Sequence, residues 1–161
     1  MRQFFKMLLL LSLALLPQVA FSEPIIAIVV SSYHNSDAPK LAPNDLSLIY
    51  WRKQLYWPKG LRIKPVNLST EHHVRQLFSE KILGSPPKSQ IDYWNGQYFN
   101  GVLPPYVVNS EEAVLRYVAQ TNGAIGYVDA CTVDHRVKTL FWLMPNSNIL
   151  SSNPPALNCA N

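Results

Sequence analysis

The distribution of apolar and polar positions divides the chain into short periodic segments separated by proline, glycine and asparagine. Ile25 to Val30 is a continuous, largely β-branched apolar run, which predicts a strand buried on both faces. Polar residues from Ser31 to Pro39 follow as a loop. Pro43 suits the first turn of a helix on which Leu46, Ile49 and Tyr50 recur at helical spacing, with Trp51 and Leu55 nearby. Asp45 complements the positive helix start. Trp57-Pro58-Lys59-Gly60 is a turn, and Leu61 to Val66 a second strand that Pro65 ends or places at an edge.

Ser69 or Thr70 then supplies a hydroxyl cap for a helix with Val74, Leu77, Phe78 and Ile82 as its apolar stripe, ended by Gly84. Ser85-Pro86-Pro87 opens another helix, with Ile91, Trp94 and Tyr98 as the expected buried stripe and Asn100-Gly101 as its stop. Leu103-Pro104-Pro105 is an extended connector. Ser110, Glu111 and Glu112 cap and charge the start of a helix carrying Val114, Leu115 and Val118. Strands are predicted over Ala124–Val128 and Thr139–Leu143. This order favours one α/β domain with a mixed, mainly parallel sheet flanked by helices.

The first residues change the picture of the compartment. Arg2 and Lys6 precede an apolar run from Met7 to Leu16, and Ala20-Phe21-Ser22 is a small-residue exit before Glu23, the layout of a cleavable secretory signal. A membrane anchor needs roughly 20 apolar residues, about twice this run. The expected organisation is a signal peptide over 1–22, an α/β domain over 23–145 and a tail over 146–161. The mature protein is expected in the periplasm with no membrane anchor. Formal net charge is +4 for the chain, and loss of Arg2 and Lys6 leaves +2. The remaining cations are scattered, which gives little support to nucleic-acid binding and argues against a polybasic membrane anchor.

Cys131 and Cys159 both lie in the exported part, where disulfides persist. They are expected to pair and pin the Pro-, Ser- and Asn-rich tail. Neither belongs to a Cys-x-x-Cys motif, which argues against redox catalysis. His72 and His73 are adjacent and project about 100° apart on a helix. With His34 and His135 distant in sequence, they give no metal site and no cofactor is implied. The chain carries no G-x-S-x-G, H-E-x-x-H, P-loop or dinucleotide fingerprint, so no enzymatic chemistry is expected.

Several segments carry a resemblance: Leu41-Ala42-Pro43-Asn44-Asp45-Leu46-Ser47-Leu48-Ile49-Tyr50, Tyr56-Trp57-Pro58-Lys59-Gly60, Ile63-Lys64-Pro65-Val66-Asn67-Leu68, Val74-Arg75-Gln76-Leu77-Phe78, and the most specific, Val118-Ala119-Gln120-Thr121-Asn122-Gly123-Ala124-Ile125-Gly126-Tyr127-Val128. Over roughly Ile25 to Leu143 the chain resembles a short, single-lobe relative of the phosphate-binding proteins of the type-2 periplasmic binding fold. The resemblance implies two lobes closing on an anion in full-length members, with a glycine- and hydroxyl-rich loop at a helix start. The matching segment here, Asn67-Leu68-Ser69-Thr70-Glu71, keeps the hydroxyls and lacks the glycines and the basic residue. Candidate ligand-binding residues are therefore Asn67, Ser69, Thr70 and Arg75, with Ser31 and Ser32 after the first strand as further contributors. The other reading of the same residues is a capped helix and ordinary polar loops.

Two functions stay open at this point. One is a non-enzymatic periplasmic solute-binding-like protein for phosphate or another small oxyanion. The other is a protein-interaction module that kept the fold and lost the ligand. The aromatic groups Tyr50, Trp51, Tyr56, Trp57 and Tyr93, Trp94, Tyr98, Phe99 would mark a protein partner or homodimer surface if exposed together.

Overall fold

The run Ile26-Ala27-Ile28-Val29-Val30-Ser31 forms β1 and is buried along its whole length, an inner strand with β4 on one side and β5 on the other. The computed structural model describes residues 23–33, 41–145, 147 and 150–159. The signal-peptide segment 1–22 lies outside the described residues, as do His34 and the rest of 34–40.

After β1 the elements are α1 (Pro43–Tyr50), β2 (Lys64–Leu68), α2 (His73–Leu83), a 3-10 turn (Pro87–Gln90), α3 (Ile91–Phe99), β3 (Tyr106–Val108), α4 (Glu111–Gln120), β4 (Ala124–Asp129), a second 3-10 turn (Ala130–Thr132), β5 (Val137–Leu143) and β6 (Leu150–Ser151). They build one mixed sheet in the order β3-β2-β4-β1-β5-β6. The mixed α/β sheet is as expected, but antiparallel pairing has the larger share. β2 runs parallel to β3 and β4, whereas β1 is antiparallel to both β4 and β5, and β5 to β6. The reason lies in the connection after β1. The eight residues of α1 and the turn at Trp57–Gly60 return the chain to the end of the sheet it left, so β2 sets out in the opposite direction. A parallel neighbour would need a connection running back the full length of the strand.

Pro65 fits inside β2 although β2 is an inner strand. Lys64 donates its N–H to Gly123 O on the β4 side at 3.0 Å, so the next residue faces the β3 side, and β3 pairing begins only at Val66. The missing N–H of Pro65 thus removes no ladder bond. Two glycines set the spacing around β4. Gly123 has φ +81, and a Cβ there would lie 2.3 Å from Arg62 O. Gly126 lets α4 lie close on the sheet, since a Cβ would lie 2.6 Å from Val114 Cγ1. Val114, Leu115 and Val118 are the buried face of α4, as their spacing predicts. Ser110 caps it, its Oγ accepting from Ala113 N at 3.2 Å.

On the opposite face Tyr50, Phe78 and Tyr127 form an aromatic centre. Phe78 and Tyr127 stack with centroids 3.9 Å apart, and Tyr50 meets Phe78 edge-on at 4.7 Å. Such pairs contribute about 0.5–1.5 kcal/mol beyond their buried area. The Tyr50 hydroxyl donates to Val66 O at 3.2 Å, so its burial leaves no polar atom stranded. Cys131 and Cys159 are bonded, with Cα atoms 5.5 Å apart, and tie the tail to the 3-10 turn that follows β4.

α3 departs from expectation. None of its residues is buried; Ile91 and Tyr98 face solvent, and only Tyr93, Trp94 and Gln97 are half-covered. Trp51 takes up its inner face, stacking on Trp94 at 5.9 Å while the Tyr93 hydroxyl donates to Trp51 O at 2.7 Å. Helical spacing identifies residues that share a face; it does not supply something to cover that face.

Candidate functional site

The carboxyl end of β2 delivers Asn67 and Leu68 to the interior and then releases Ser69 and Thr70 into a turn. Asn67 is buried, and its Oδ1 accepts from the Tyr127 hydroxyl at 3.0 Å. The same hydroxyl accepts from Leu68 N at 3.4 Å. β2 and β4 are adjacent and parallel, which brings these two strand residues level with each other. Burial pushes the Tyr127 phenol up to about 12, an effect offset in part by the Arg75 guanidinium and its hydrogen bond.

The helix after this turn does not start where its hydroxyls suggest. α2 begins at His73, and the cap is His72, whose Nδ1 accepts from Val74 N at 3.3 Å. Ser69 O accepts from His72 N at 3.1 Å and Thr70 O accepts from Gln76 Nε2 at 3.5 Å, so both residues shape the entry through their carbonyls. The cap shifts because β2 runs on to Leu68, which leaves Ser69 to Glu71 to make the turn. Ser69 is half-buried and Thr70 exposed. His72 Nε2 lies 3.8 Å from Glu111 Oε1, and Glu111 Oε2 accepts the N–H of Asp129. Glu71 and Glu111 therefore surround the outer side of the turn with negative charge.

Arg75 lies inside, 5% exposed. Its Nη2 donates to Gln90 Oε1 at 3.1 Å, and Gln90 is itself held by Nε2 donating to Ser85 O at 2.8 Å. Nε and Nη1 of Arg75 have no hydrogen-bond partner among the described residues, and no carboxylate pairs with it there. Ser79, four residues on and so on the same face of α2, is fully buried with an unpartnered Oγ. An unsatisfied buried polar group costs about 1–3 kcal/mol, and a charged one more. One stretch of one helix thus carries three such atoms, all able to donate.

Ser31 and Ser32 are not brought to this place. β1 runs opposite to β2 and β4, so its carboxyl end sits beside Ile125, at the end of the sheet where β2 begins. From there to Leu68 is most of a strand length, about 13–17 Å at roughly 3.3 Å per residue. Ser31 is buried, its Oγ donating to Ala119 O at 3.3 Å, and Ser32 is exposed. The expected joint cleft assumed a parallel β1. In its place the fold assembles Asn67, Arg75, Ser79, Gln90 and Tyr127. Tyr127 stood in the Gly-Tyr ending of a predicted strand, but nothing local in the sequence marks Gln90 or Ser79. No cluster of His, Cys, Asp or Glu suited to a metal ion occurs among the described residues.

No protein-family model and no curated sequence matches the chain. Solved structures do. An ABC-type phosphate transport receptor from Vibrio cholerae superposes with TM-score 0.58 at 22% identity, covering 74% of this chain and 47% of that one. A phosphate ABC transporter substrate-binding protein with bound phosphate from Clostridium perfringens gives 0.57 at 18%, covering 73% and 45%. PstS from Borrelia burgdorferi gives 0.56 at 12%, covering 83% and 51%. The chain spans about half the length of these structures. Over about three quarters of its residues it has the fold of one portion of a phosphate-transport substrate-binding protein.

Proposed function

We propose that this chain is an exported, non-enzymatic solute-binding-like protein that takes phosphate or a similar small oxyanion at Arg75. The observation that carries the reading is the buried guanidinium that has, among the described residues, two unpartnered nitrogens and no paired carboxylate, with the unpartnered Ser79 hydroxyl one turn away. A buried cation is tolerated when an anion or a full set of acceptors meets it. A small oxyanion supplies the negative charge and the acceptors that such a group lacks, and both two-pronged edges of a guanidinium include Nη2, so the anion takes over the place of Gln90 Oε1. The fold shared with phosphate-transport proteins, one of which holds phosphate, supports the ligand class. The paired cysteines and the layout of residues 1–22 support export to the periplasm.

Ser69 and Thr70 form the outer rim in this reading, and Asn67 fixes Tyr127 behind the guanidinium. The ligand reaches Arg75 when the turn Pro87–Gln90 gives way, since Gln90 occupies one of its nitrogens. A protein-interaction role has support of its own in the exposed face of α3. A thermal-shift titration with phosphate, sulfate and a chloride control at matched ionic strength tests the reading. A ligand at 100 times its dissociation constant adds about 2.7 kcal/mol of stability, which is readily visible. A saturable phosphate shift supports oxyanion binding, and identical curves for all three salts refute it.

A further inference from the structure

We infer that the outer face of α3 and the free edge of β3 form a docking surface for a second copy of this chain. The segment Ile91–Ser110 contains a single charged residue, Asp92, in a chain whose charged fraction is 15%. It also holds six large apolar side chains that face solvent: Ile91, Tyr98, Phe99, Leu103, Tyr106 and Val107. Phe99 is 87% exposed and Tyr98 65%. Ile91 and Tyr98 are seven residues apart and so share one face of α3, while the inner face is occupied by Trp51. Depletion of charge with enrichment in aromatics is the composition of an interface core.

Charge selects the occupant. A two-fold interface sets a patch against itself, so a charge with no opposite charge elsewhere in the patch finds no partner across the axis and is best absent. This segment, with Asp92 as its one charge near the start of α3, meets that condition, whereas an acidic or basic partner would find no complementary group. β3 adds a second self-complementary feature. It is the outermost strand beside β2, its other edge carries no strand among the described residues, and a second β3 can pair with it antiparallel across a two-fold axis.

Sedimentation velocity of the purified protein over a concentration series is the test, with Phe99→Glu and Val107→Lys as variants. The wild type is expected to pass from monomer to dimer, and each substitution to raise the dissociation constant at least about tenfold. Both side chains are exposed, so an unchanged melting temperature of the diluted monomer verifies folding. A wild type that stays monomeric throughout overturns the inference and leaves the surface to a foreign partner. A dimer indifferent to both substitutions overturns it too, by placing the contact elsewhere. Phosphate titration of the Phe99→Glu monomer separates this outcome from that of the oxyanion reading.

Discussion

Arg75 Nη2 donates to Gln90 Oε1 at 3.1 Å, across the gap between α2 and the 3-10 turn that follows it. That bond joins the helix carrying the buried cation to the turn covering it. Removing the glutamine strands the charge, whereas removing the arginine leaves Gln90 Oε1 without this donor but takes an unpaired charge out of the interior. Gln90→Ala is expected to cost about 1.5–3 kcal/mol, the range for a hydrogen bond to a charged group. Arg75→Met is expected to be near neutral or stabilising without ligand. The double variant should lose much less than the sum of the two changes, because the orphaned charge is gone. Urea denaturation of the four proteins measures this; additive losses would show that the two side chains do not depend on each other.

The glycines near β4 differ in what surrounds them, and their alanine variants should differ accordingly. Gly60 and Gly123 both have positive φ, at +85 and +81, but a Cβ on Gly60 meets nothing within 4 Å. Gly60→Ala should cost about 1–2 kcal/mol, the left-handed penalty alone. Gly123→Ala must also displace the backbone carbonyl of Arg62 and should destabilise severely. Gly126→Ala presses on Val114 and Val118 and should cost about 1–3 kcal/mol as overpacking. Equal melting temperatures for the Gly60 and Gly123 variants would contradict the close approach at Arg62.

The disulfide closes a long loop over a sequence separation of 28 and is the covalent hold on an otherwise largely exposed tail. Replacing Cys131 and Cys159 together by Ser should cost about 2–4 kcal/mol, through loop entropy in the unfolded chain. Denaturation curves of the wild type with and without reductant should differ by the same amount. Coincident curves would mean that the tail contributes nothing to the stability of the domain.

Alkaline pH should loosen the centre of the fold. The Tyr127 phenol is raised from 10.0 to about 12, so the folded form holds its proton over a range in which the unfolded form has lost it. Its contribution is whole below pH about 10 and declines as pH rises towards about 12. Tyr127→Phe should flatten that part of the stability profile, while Tyr50, also raised by burial, keeps a slope of its own. Denaturation at stepped pH measures it, and a slope unaltered in Tyr127→Phe would contradict the assignment.

How far the sequence spoke depended on whether a feature was local. The cap at Ser110, the stop at Gly84 and the buried faces of α1 and α4 rest on spacing within one element, and the structure carries them as read. The mixed sheet was legible from element order, but strand direction was not, because a run such as Ile26 to Val30 is buried identically either way. That ambiguity placed Ser31 and Ser32 with Asn67, when the antiparallel β1 carries them to the other end. Ser69 and Thr70 had the chemistry of caps, yet the length of β2 decided which residue capped α2, and His72 was reached first. β3 escaped notice because three residues after two prolines form a strand only once β2 lies beside them. Arg75 was identifiable as a cation one turn into a helix. Its burial, and its meeting with Gln90, Ser79 and Tyr127, are tertiary events that no local pattern encodes.

The most direct measurement is isothermal titration calorimetry of phosphate into the wild type and into the Arg75→Met and Ser79→Ala variants, with sulfate as the comparison anion. The account predicts saturable phosphate binding by the wild type, none by Arg75→Met, and binding weakened about tenfold by loss of one hydroxyl donor in Ser79→Ala, equivalent to about 1.4 kcal/mol. Binding that survives undiminished in a folded Arg75→Met, or a wild type that releases no heat with either anion, would contradict it.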